Sequence, residues 1–239
     1  MESCNIASLC SRLASSEHPS TASVMGVAVP VGVSSLIMIQ QFFHAASYLS
    51  IIIAIFKKGQ YVGMPATALF LNFGWEVSFG VVWIEQLGWE SAGHRLWMLL
   101  NGIILYQFIQ HQLNSPSRLV YQGLHCITLW AVLAAFVMEF KDFAGVYSDF
   151  LVQLITAIVM VHNVWETPSD LLGSVLPGYL RLFSCLCGSL AFLSIVEHSV
   201  LLTTTHVAIL GWNSFYVAVD TSRYMASSSD ESSVKPKVA

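Results

Sequence analysis

Long apolar runs alternate with short polar connectors along most of this 239-residue chain. Each run is long enough to cross the hydrocarbon core of a bilayer as a helix, which takes about 20 residues. The seven runs are roughly Ser34–Phe56, Met64–Gln86, Arg95–Leu113, Arg118–Phe140, Tyr147–Glu166, Leu171–Val196 and Val200–Asp220. The strict apolar–polar alternation of a membrane β-barrel is absent. We therefore predict an all-α integral membrane protein, a seven-transmembrane-helix bundle with an intramembrane pocket.

Both ends of the chain lie outside these runs. Residues 1–33 begin with a Ser-rich stretch and then contain Gly26, Pro30 and Gly32, which predicts a polar and irregular lead-in. Residues 221–239 are polar and Ser-rich, which predicts a disordered cytosolic tail. The membrane domain is accordingly predicted over residues 34–220.

Composition excludes several classes of protein. The chain is 55% hydrophobic and only 10% charged, with a mean hydropathy of +0.66, whereas a soluble domain is about 25% charged. A net charge of −4 argues against nucleic-acid binding, which depends on a basic surface. The five cysteines do not have the spacing of metal ligands and are interpreted as small apolar residues.

Lysine and arginine residues are biased toward one side of the predicted membrane. With the N-terminus outside, the inner side holds Lys57, Lys58, Arg118, Arg223, Lys235 and Lys237, and the outer side holds Arg12, Arg95 and Lys141. This bias predicts a lumenal N-terminus and a cytosolic C-terminus. The ending Lys235-Pro236-Lys237-Val238-Ala239 resembles a cytosolic dilysine retrieval signal, which favours the endoplasmic reticulum, although a chance match is the alternative.

The second run places Glu76 near the middle of the membrane. A carboxyl group at that depth costs a few kcal/mol, so it usually has a function. Asn72 precedes Glu76 by four residues and shares its helical face, so its amide is predicted to hydrogen-bond and orient the carboxyl. Trp75 is predicted to flank the same cavity. Because an apolar environment favours a protonated carboxyl, Glu76 is a candidate Brønsted acid; a structural hydrogen bond between helices is the alternative.

Two later runs carry further polar groups. The fifth ends in His162-Asn163-Val164-Trp165-Glu166, which echoes the second run and suggests either an inverted repeat, as in transporters, or chance. Glu166 is equally interpreted as a solvated acid at the interface. The last run places Asn213, Tyr216 and Asp220 close to one face, with Asp220 either a site residue or an ordinary charge at a helix end.

The remaining candidates are one cation and several aromatic side chains. Arg181 in the sixth run is expected to reach the interface or to pair with Glu166 or Asp220. Aromatic faces stabilise cations by roughly 0.5–2 kcal/mol, although packing or lipid contact is the alternative for each one. The predicted substrate-binding set is Asn72, Trp75, Phe73, Tyr106, Asn163, Trp165, Glu166, Arg181, Asn213 and Tyr216.

Several of these motifs occur together in one known family. The entry to the second helix reads Tyr61-Val62-Gly63-Met64-Pro65, the Asn72-x-x-Trp75-Glu76 motif follows, and Asn213-Ser214-Phe215-Tyr216 and Asp220 come late. With its length and seven apolar runs, the chain resembles the small membrane-bound terpene cyclases of fungal meroterpenoid and indole-diterpene pathways. These include the pyripyropene, andrastin, austinol and paxilline cyclases. The resemblance extends from about Ser34 to Asp220.

The resemblance implies a reaction and its residues. A pathway prenyltransferase and a flavin monooxygenase supply an epoxidised prenyl-aryl or prenyl-polyketide substrate, which dissolves in membrane lipid. The cyclase protonates the terminal epoxide and the polyene closes in a cationic cascade, without a metal or an organic cofactor. The two acids essential in that family map onto Glu76 and Asp220, of which Glu76 is assigned as general acid. No nucleic-acid partner is expected.

Two other functions fit the pattern of apolar runs and buried acids. One is a small proton-coupled transporter that uses Glu76 and Asp220 as proton sites, although the odd number of helices argues against it. The other is a non-catalytic membrane scaffold.

Overall fold

The computed structural model describes residues 21–24, 27–82, 90–113, 115–142, 145–166, 175–195 and 199–233. Within these ranges there are seven α-helices: α1 Val31–Lys58, α2 Ala66–Val77, α3 Glu90–Gln112, α4 Pro116–Phe140, α5 Val146–Glu166, α6 Leu176–Ile195 and α7 Val200–Ser233. A π-helical turn, Ser78–Val82, continues α2. An antiparallel hairpin precedes α1, with β1 Thr21–Val24 paired to β2 Val27–Pro30.

The helices coincide with the apolar runs, so the prediction of a helical membrane protein is confirmed. Within the part of the chain that the structure describes, four helices are long and apolar enough to span a bilayer, namely Val31–Lys58, Pro116–Phe140, Val146–Glu166 and Leu176–Ser194. The apolar segment Ala66–Val82 is helical but shorter. A bundle in which all seven helices cross the membrane stays a prediction.

The ends of the helical domain differ from the sequence prediction. Residues 21–24 and 27–30 form the hairpin, whose Thr and Val residues favour strands, where the pattern predicts an irregular lead-in. α1 begins at Val31, and α7 continues to Ser233, so the predicted disordered tail is helical up to that residue. An existing helix extends easily, because each added residue gains a hydrogen bond. Residues 1–20, 83–86 and 234–239 lie outside the described residues.

Helix boundaries follow local chemistry. α1 ends at Gly59, whose φ of +63° lies in the left-handed region that closes helices. Pro65 stands at the N-cap of α2 in an extended conformation. Ser115 caps α4 by accepting the Arg118 N–H, and Lys141 ends that helix with a φ of 52°. These short breaks let the successive helices reverse and pack against one another.

The short helix α2 lies inside the bundle. It packs against α3, α4 and α5, while α1 packs against α3 and α6, and α7 packs against α5 and α6. Gly74 permits this close approach, because a Cβ atom there would lie 2.3 Å from the Trp130 ring on α4. Trp130 Nε1 in turn donates to the Phe70 carbonyl at 2.8 Å. α2 therefore carries its polar residues into the interior rather than to lipid.

Candidate active site

Glu76 is the acid at the centre of the bundle, and only 1% of its surface is exposed. The Tyr48 hydroxyl on α1 donates to Oε1 at 2.7 Å. Asn101 Nδ2 on α3 donates to Oε2 at 3.0 Å. Both donors are themselves fully buried. Three helices thus converge on one carboxyl group, with a donor on each oxygen; we call Glu76, Tyr48 and Asn101 the carboxyl centre.

Asn72 does not orient this carboxyl, and that prediction is wrong. Its Nδ2 donates to the Ala68 carbonyl at 2.7 Å and to Thr156 Oγ1 on α5 at 3.0 Å. The spacing of four residues does put Asn72 and Glu76 on one helical face. However, an asparagine in a helix can reach the carbonyl one turn back, and here that bond and a neighbouring helix satisfy the amide. Asn101 takes the role that was predicted for Asn72.

A second polar group connects α5 and α6. Arg181 Nη2 donates to Gln153 Oε1 at 2.8 Å, and Gln153 Nε2 donates to Asp149 Oδ1 at 3.3 Å. All three side chains are buried. We call them the arginine relay. Both Asp149 and Arg181 lie near enough to interact electrostatically with Glu76, so the interior holds two acids and one guanidinium close together.

Among the described residues, two small cavities lie beside these groups. One, of about 20 Å³, is lined by Gln40, His44, Asp149, Phe150, Gln153, Ser184, Cys185, Gly188, Ser189, His206 and Ile209. The other, also of about 20 Å³, is lined by Ile37, Gln40, Gln41, Trp75, His94, Trp97, Gly145, Asp149 and Phe192. Asp149 and Gln40 line both cavities, so the two are neighbours. Each has room for about one or two water molecules, so a larger ligand would have to widen them.

A chain of aromatic rings joins the carboxyl centre to the second cavity. The His44 ring lies 4.8 Å from Tyr48 and 4.4 Å from Trp97, measured between centroids. His94 lies 5.0 Å from Trp97 and 4.9 Å from Trp75. Such a wall offers aromatic faces to a cationic ligand and excludes water.

Trp75 is held in this wall by the first turn of α5. Its Nε1 donates to Ser148 Oγ at 3.1 Å, and the Ser148 N–H donates to Asp142 Oδ2 at 2.6 Å. Burial raises the pKa of the Asp142 carboxyl, and its hydrogen bonds from the start of α5 oppose that shift. Asp142 therefore positions the first turn of α5, which carries Asp149.

The family follows from comparison with known proteins. The model of the Pyr4-like transmembrane terpene cyclases matches residues 26–199, which is most of the chain. The chain belongs to this family. No curated protein and no solved structure matches it. This terpene cyclase is thus a multi-pass membrane protein, and the matched range contains the carboxyl centre, the arginine relay and all residues that line the cavities except His206 and Ile209.

Asp220 of the cyclase lies apart from the carboxyl centre. It is buried on α7, and among the described residues its Oδ2 has no hydrogen-bond partner. Its charge acts on Tyr216, one turn earlier, and Asp220 lines neither of the two cavities. Tyr216 packs with Met160, Val161, Val164 and Val217, between α5 and α7. The structure therefore does not bring the two predicted catalytic acids into contact.

Other predicted binding residues of the cyclase lie away from the cavities. Tyr106 and Trp165 are 58% and 60% exposed, and Glu166 is also exposed. Asn163 is half-buried, and Phe73 packs against Trp130 at 6.0 Å. The sequence pattern could not distinguish inward from outward positions here, because helices of a membrane protein are apolar on every side.

Arg181 and Asn213 have partners different from those predicted. Arg181 bonds to Gln153 rather than to Glu166 or Asp220. Asn213 Nδ2 donates to the Ile209 carbonyl at 2.9 Å and contacts Cys185 Sγ at 3.6 Å. Glu166 ends α5, where Arg223 on α7 donates to the Val164 and Trp165 carbonyls and so caps the helix.

Sequence reasoning missed Tyr48 and Asp149. Nothing in the apolar run around Tyr48 distinguishes it from a packing aromatic. Asp149 did carry a signal, since it is an acid within the fifth apolar run. Its position near the start of the run made it resemble an ordinary residue of a helix terminus. No group of three or more His, Cys, Asp or Glu side chains comes together to hold a metal ion among the residues described.

Proposed function

We propose that this terpene cyclase protonates the terminal epoxide of a farnesyl- or geranylgeranyl-substituted aromatic, polyketide or indole compound. The proton opens the epoxide, the neighbouring double bonds attack in turn, and loss of a proton ends the cascade. The product is an isomer of the substrate, so no oxidant, reductant or metal is needed. The enzyme would serve secondary metabolism, after a prenyltransferase and a flavin monooxygenase have made the substrate.

The carboxyl centre is the observation that carries this proposal. Epoxide opening needs a carboxylic acid that keeps its proton until the substrate is bound, and a buried site favours that form. Once the proton leaves Glu76, the Tyr48 and Asn101 donors stabilise the carboxylate that remains. Preorganised donors of this kind act where charge develops in the transition state. Neither Tyr48 nor Asn101 belongs to the sequence motif, yet both hydrogen-bond the acid that the motif identified.

A proton that leaves Glu76 would reach the substrate by way of the residues beside Glu76. Glu76 itself lines neither of the two cavities, whereas Trp75 and His44 do. The Tyr48 hydroxyl, 2.7 Å from the carboxyl, is placed to relay the proton or to move aside when the substrate binds. Catalytic hydrogen bonds commonly tighten only in the complex with substrate, so this arrangement suits the free enzyme.

Apolar and aromatic surroundings suit the remainder of the reaction. A prenyl chain partitions into the bilayer, and an intramembrane cavity meets it there. Trp75, Trp97, Phe150 and Phe192 line the two cavities and would face successive cationic centres. Holding the chain in a folded conformation lowers the entropic part of the barrier.

Asp220 completes the proposal as the second acid. Its buried, unpartnered Oδ2 leaves it able to carry a proton toward the interior from the end of α7. We further propose seven membrane crossings in the endoplasmic reticulum, with a lumenal N-terminus, as the distribution of basic residues favours. This places the last turns of α7 on the cytosolic side.

A microsomal assay tests the reaction. Membranes containing the protein are given synthetic epoxyfarnesyl-aryl and epoxygeranylgeranyl-indole compounds, and products are followed by mass and retention time. We expect a cyclised isomer of equal mass. Glu76→Gln, which keeps the size and removes the transferable proton, should lower its rate by about 10²–10⁴-fold, the usual contribution of a general acid.

The matched control changes an exposed acid in the same way. Glu139 lies near the end of α4 and is exposed, so Glu139→Gln should leave the rate unchanged. Folded protein that converts neither substrate class would refute the proposed reaction. Conversion that survives Glu76→Gln would refute the assignment of Glu76 as the acid.

A further inference from the structure

Asp149 is the acid that both cavities share. It lies in the first turn of α5, and 9% of its surface is exposed, compared with 1% for Glu76. Gln40 is the other residue common to the two linings. Among the residues that line these two cavities, Asp149 is the one acid, so it is the carboxyl group that a ligand in either cavity would contact.

The two buried acids differ in their hydrogen bonding. Glu76 has a donor on each oxygen, at 2.7 and 3.0 Å. The Asp149 carboxyl accepts a bond of 3.3 Å to Oδ1 from Gln153, and no donor to Oδ2 is found among the described residues. One oxygen of Asp149 is thus available to a ligand, and an aromatic ring accompanies Asp149 in each lining, Phe150 in the first cavity and Trp75 in the second.

The hydrogen bonds associate Arg181 with Asp149 rather than with Glu76. A buried cation needs a compensating anion. Arg181 is joined to Asp149 by the Gln153 amide, which donates toward the aspartate and accepts from the arginine. Glu76 instead accepts from the neutral Tyr48 and Asn101 side chains. Asp149 is thus the acid suited to balance Arg181 as a carboxylate, and Glu76 is the acid suited to carry the proton that is donated.

We propose that Asp149 is the base that removes the proton at the end of the cyclisation. This inference rests on the proposed function. A C–H bond next to the last cationic carbon breaks, its electron pair forms the carbon–carbon double bond, and the proton goes to Asp149 Oδ2. The proton lost by Glu76 at the start equals the one gained by Asp149, so the reaction stays an isomerisation. Return of that proton to Glu76 restores the enzyme.

The position of the carboxylate would also determine which proton is lost. Of the hydrogens around the final cation, only those held close to Oδ2 can be removed quickly, because proton transfer requires hydrogen-bond distance. Asp149 would therefore select the position of the double bond in the product. A variant without the base should still open the epoxide, since Glu76 is unchanged.

The experiment separates substrate consumption from product distribution. Asp149→Asn is compared with wild type and Glu76→Gln in microsomes, using whichever epoxyprenyl substrate the wild type converts. We expect Asp149→Asn to consume the epoxide and to give at least about tenfold less of the wild-type alkene, with water-captured or isomeric alkene products in its place. Glu76→Gln should consume almost none.

Each other outcome overturns the inference. If folded Asp149→Asn forms wild-type products in wild-type proportions, at any rate, Asp149 is not the base. If it is folded but leaves the epoxide intact, Asp149 acts in initiation. If the wild type converts no substrate, the proposed function itself has failed, which is a distinguishable result.

Two further variants complete the test. Glu139→Gln is the control for a change from acid to amide, because Glu139 is exposed near the end of α4 and lines neither cavity; its product proportions should equal those of wild type. If Asp149→Asn fails to fold, Asp149→Glu is used instead to test whether Asp149 is the base. It keeps the charge and moves the oxygens by one methylene, so an altered double-bond position supports the inference, and unaltered proportions refute it.

Discussion

Removing one oxygen atom from Tyr48 should slow the reaction without damaging the fold. In Tyr48→Phe, Glu76 loses the 2.7 Å donor on Oε1 and keeps Asn101 on Oε2. The site is fully buried, so little water can replace the hydroxyl. The lost bond matters most after Glu76 has given up its proton, because the carboxylate formed then lacks a donor.

The size of the effect follows from the charge on that carboxylate. A hydrogen bond to a charged group contributes about 1.5–3 kcal/mol, and one between neutral groups about 0.5–1.5 kcal/mol. Glu76 is neutral before the proton transfer and charged after it. The barrier therefore rises by the difference between these two hydrogen-bond energies when the Tyr48 hydroxyl is removed. The difference is about 1–1.5 kcal/mol, so at about 1.4 kcal/mol per tenfold change we expect kcat to fall roughly 5- to 12-fold. KM should change little, because Tyr48 lines neither cavity.

Tyr61→Phe is the matched control. Its hydroxyl donates to the Met64 carbonyl at 2.5 Å, in the connector before α2, and has no contact with Glu76. Both variants lose one phenol oxygen and a comparable amount of stability. Rates are measured per unit of folded protein in microsomes. A Tyr48→Phe enzyme with wild-type kcat, or an equal decrease in Tyr61→Phe, would refute the stabilisation of the carboxylate by Tyr48.

Three other variants test the packing and the assignment of residues. Gly74→Ala should lower thermal stability by about 1–3 kcal/mol, because its Cβ would lie 2.3 Å from the Trp130 ring, and a normal melting temperature in detergent would contradict this packing. Asn72→Ala leaves Thr156 without its partner and should cost about 1 kcal/mol of unfolding free energy, with turnover per folded molecule nearly unchanged; loss of turnover alone would restore Asn72 to the site. Trp165→Phe should leave the product proportions unaltered in the microsomal assay, because Trp165 is 60% exposed, and a changed product would place it in the cavity.

Much of the helical architecture could be predicted from apolar runs and their breaks. Helix formation depends on neighbours in sequence, and residues such as Gly59, Pro65 and Ser115 mark where helices begin and end. The end of α7 was harder to predict. The residues after Asp220 are polar, which favours disorder in an isolated segment, but they extend a helix that is already packed.

The candidate site was only partly predictable. Glu76 could be found because an acid in an apolar run is unusual at any position in a fold. Asn72 was predicted as its partner from helical spacing. Spacing alone does not determine which of several nearby acceptors an amide will hydrogen-bond. The same limitation affected Tyr106 and Trp165, which proved exposed, and Asp220, which lies apart from Glu76.

The helical membrane class and the acid inside it follow from the sequence alone, because both depend on local composition and on the cost of burying charge. The surroundings of that acid depend on tertiary packing. Tyr48 and Asn101 lie 28 and 25 residues from Glu76 along the chain, and Arg181 lies 28 residues from Gln153. Contacts of that kind depend on how α1, α2, α3, α5 and α6 are arranged in the bundle. It is this packing that places Asp149, an aspartate near a helix end, in the lining of both cavities.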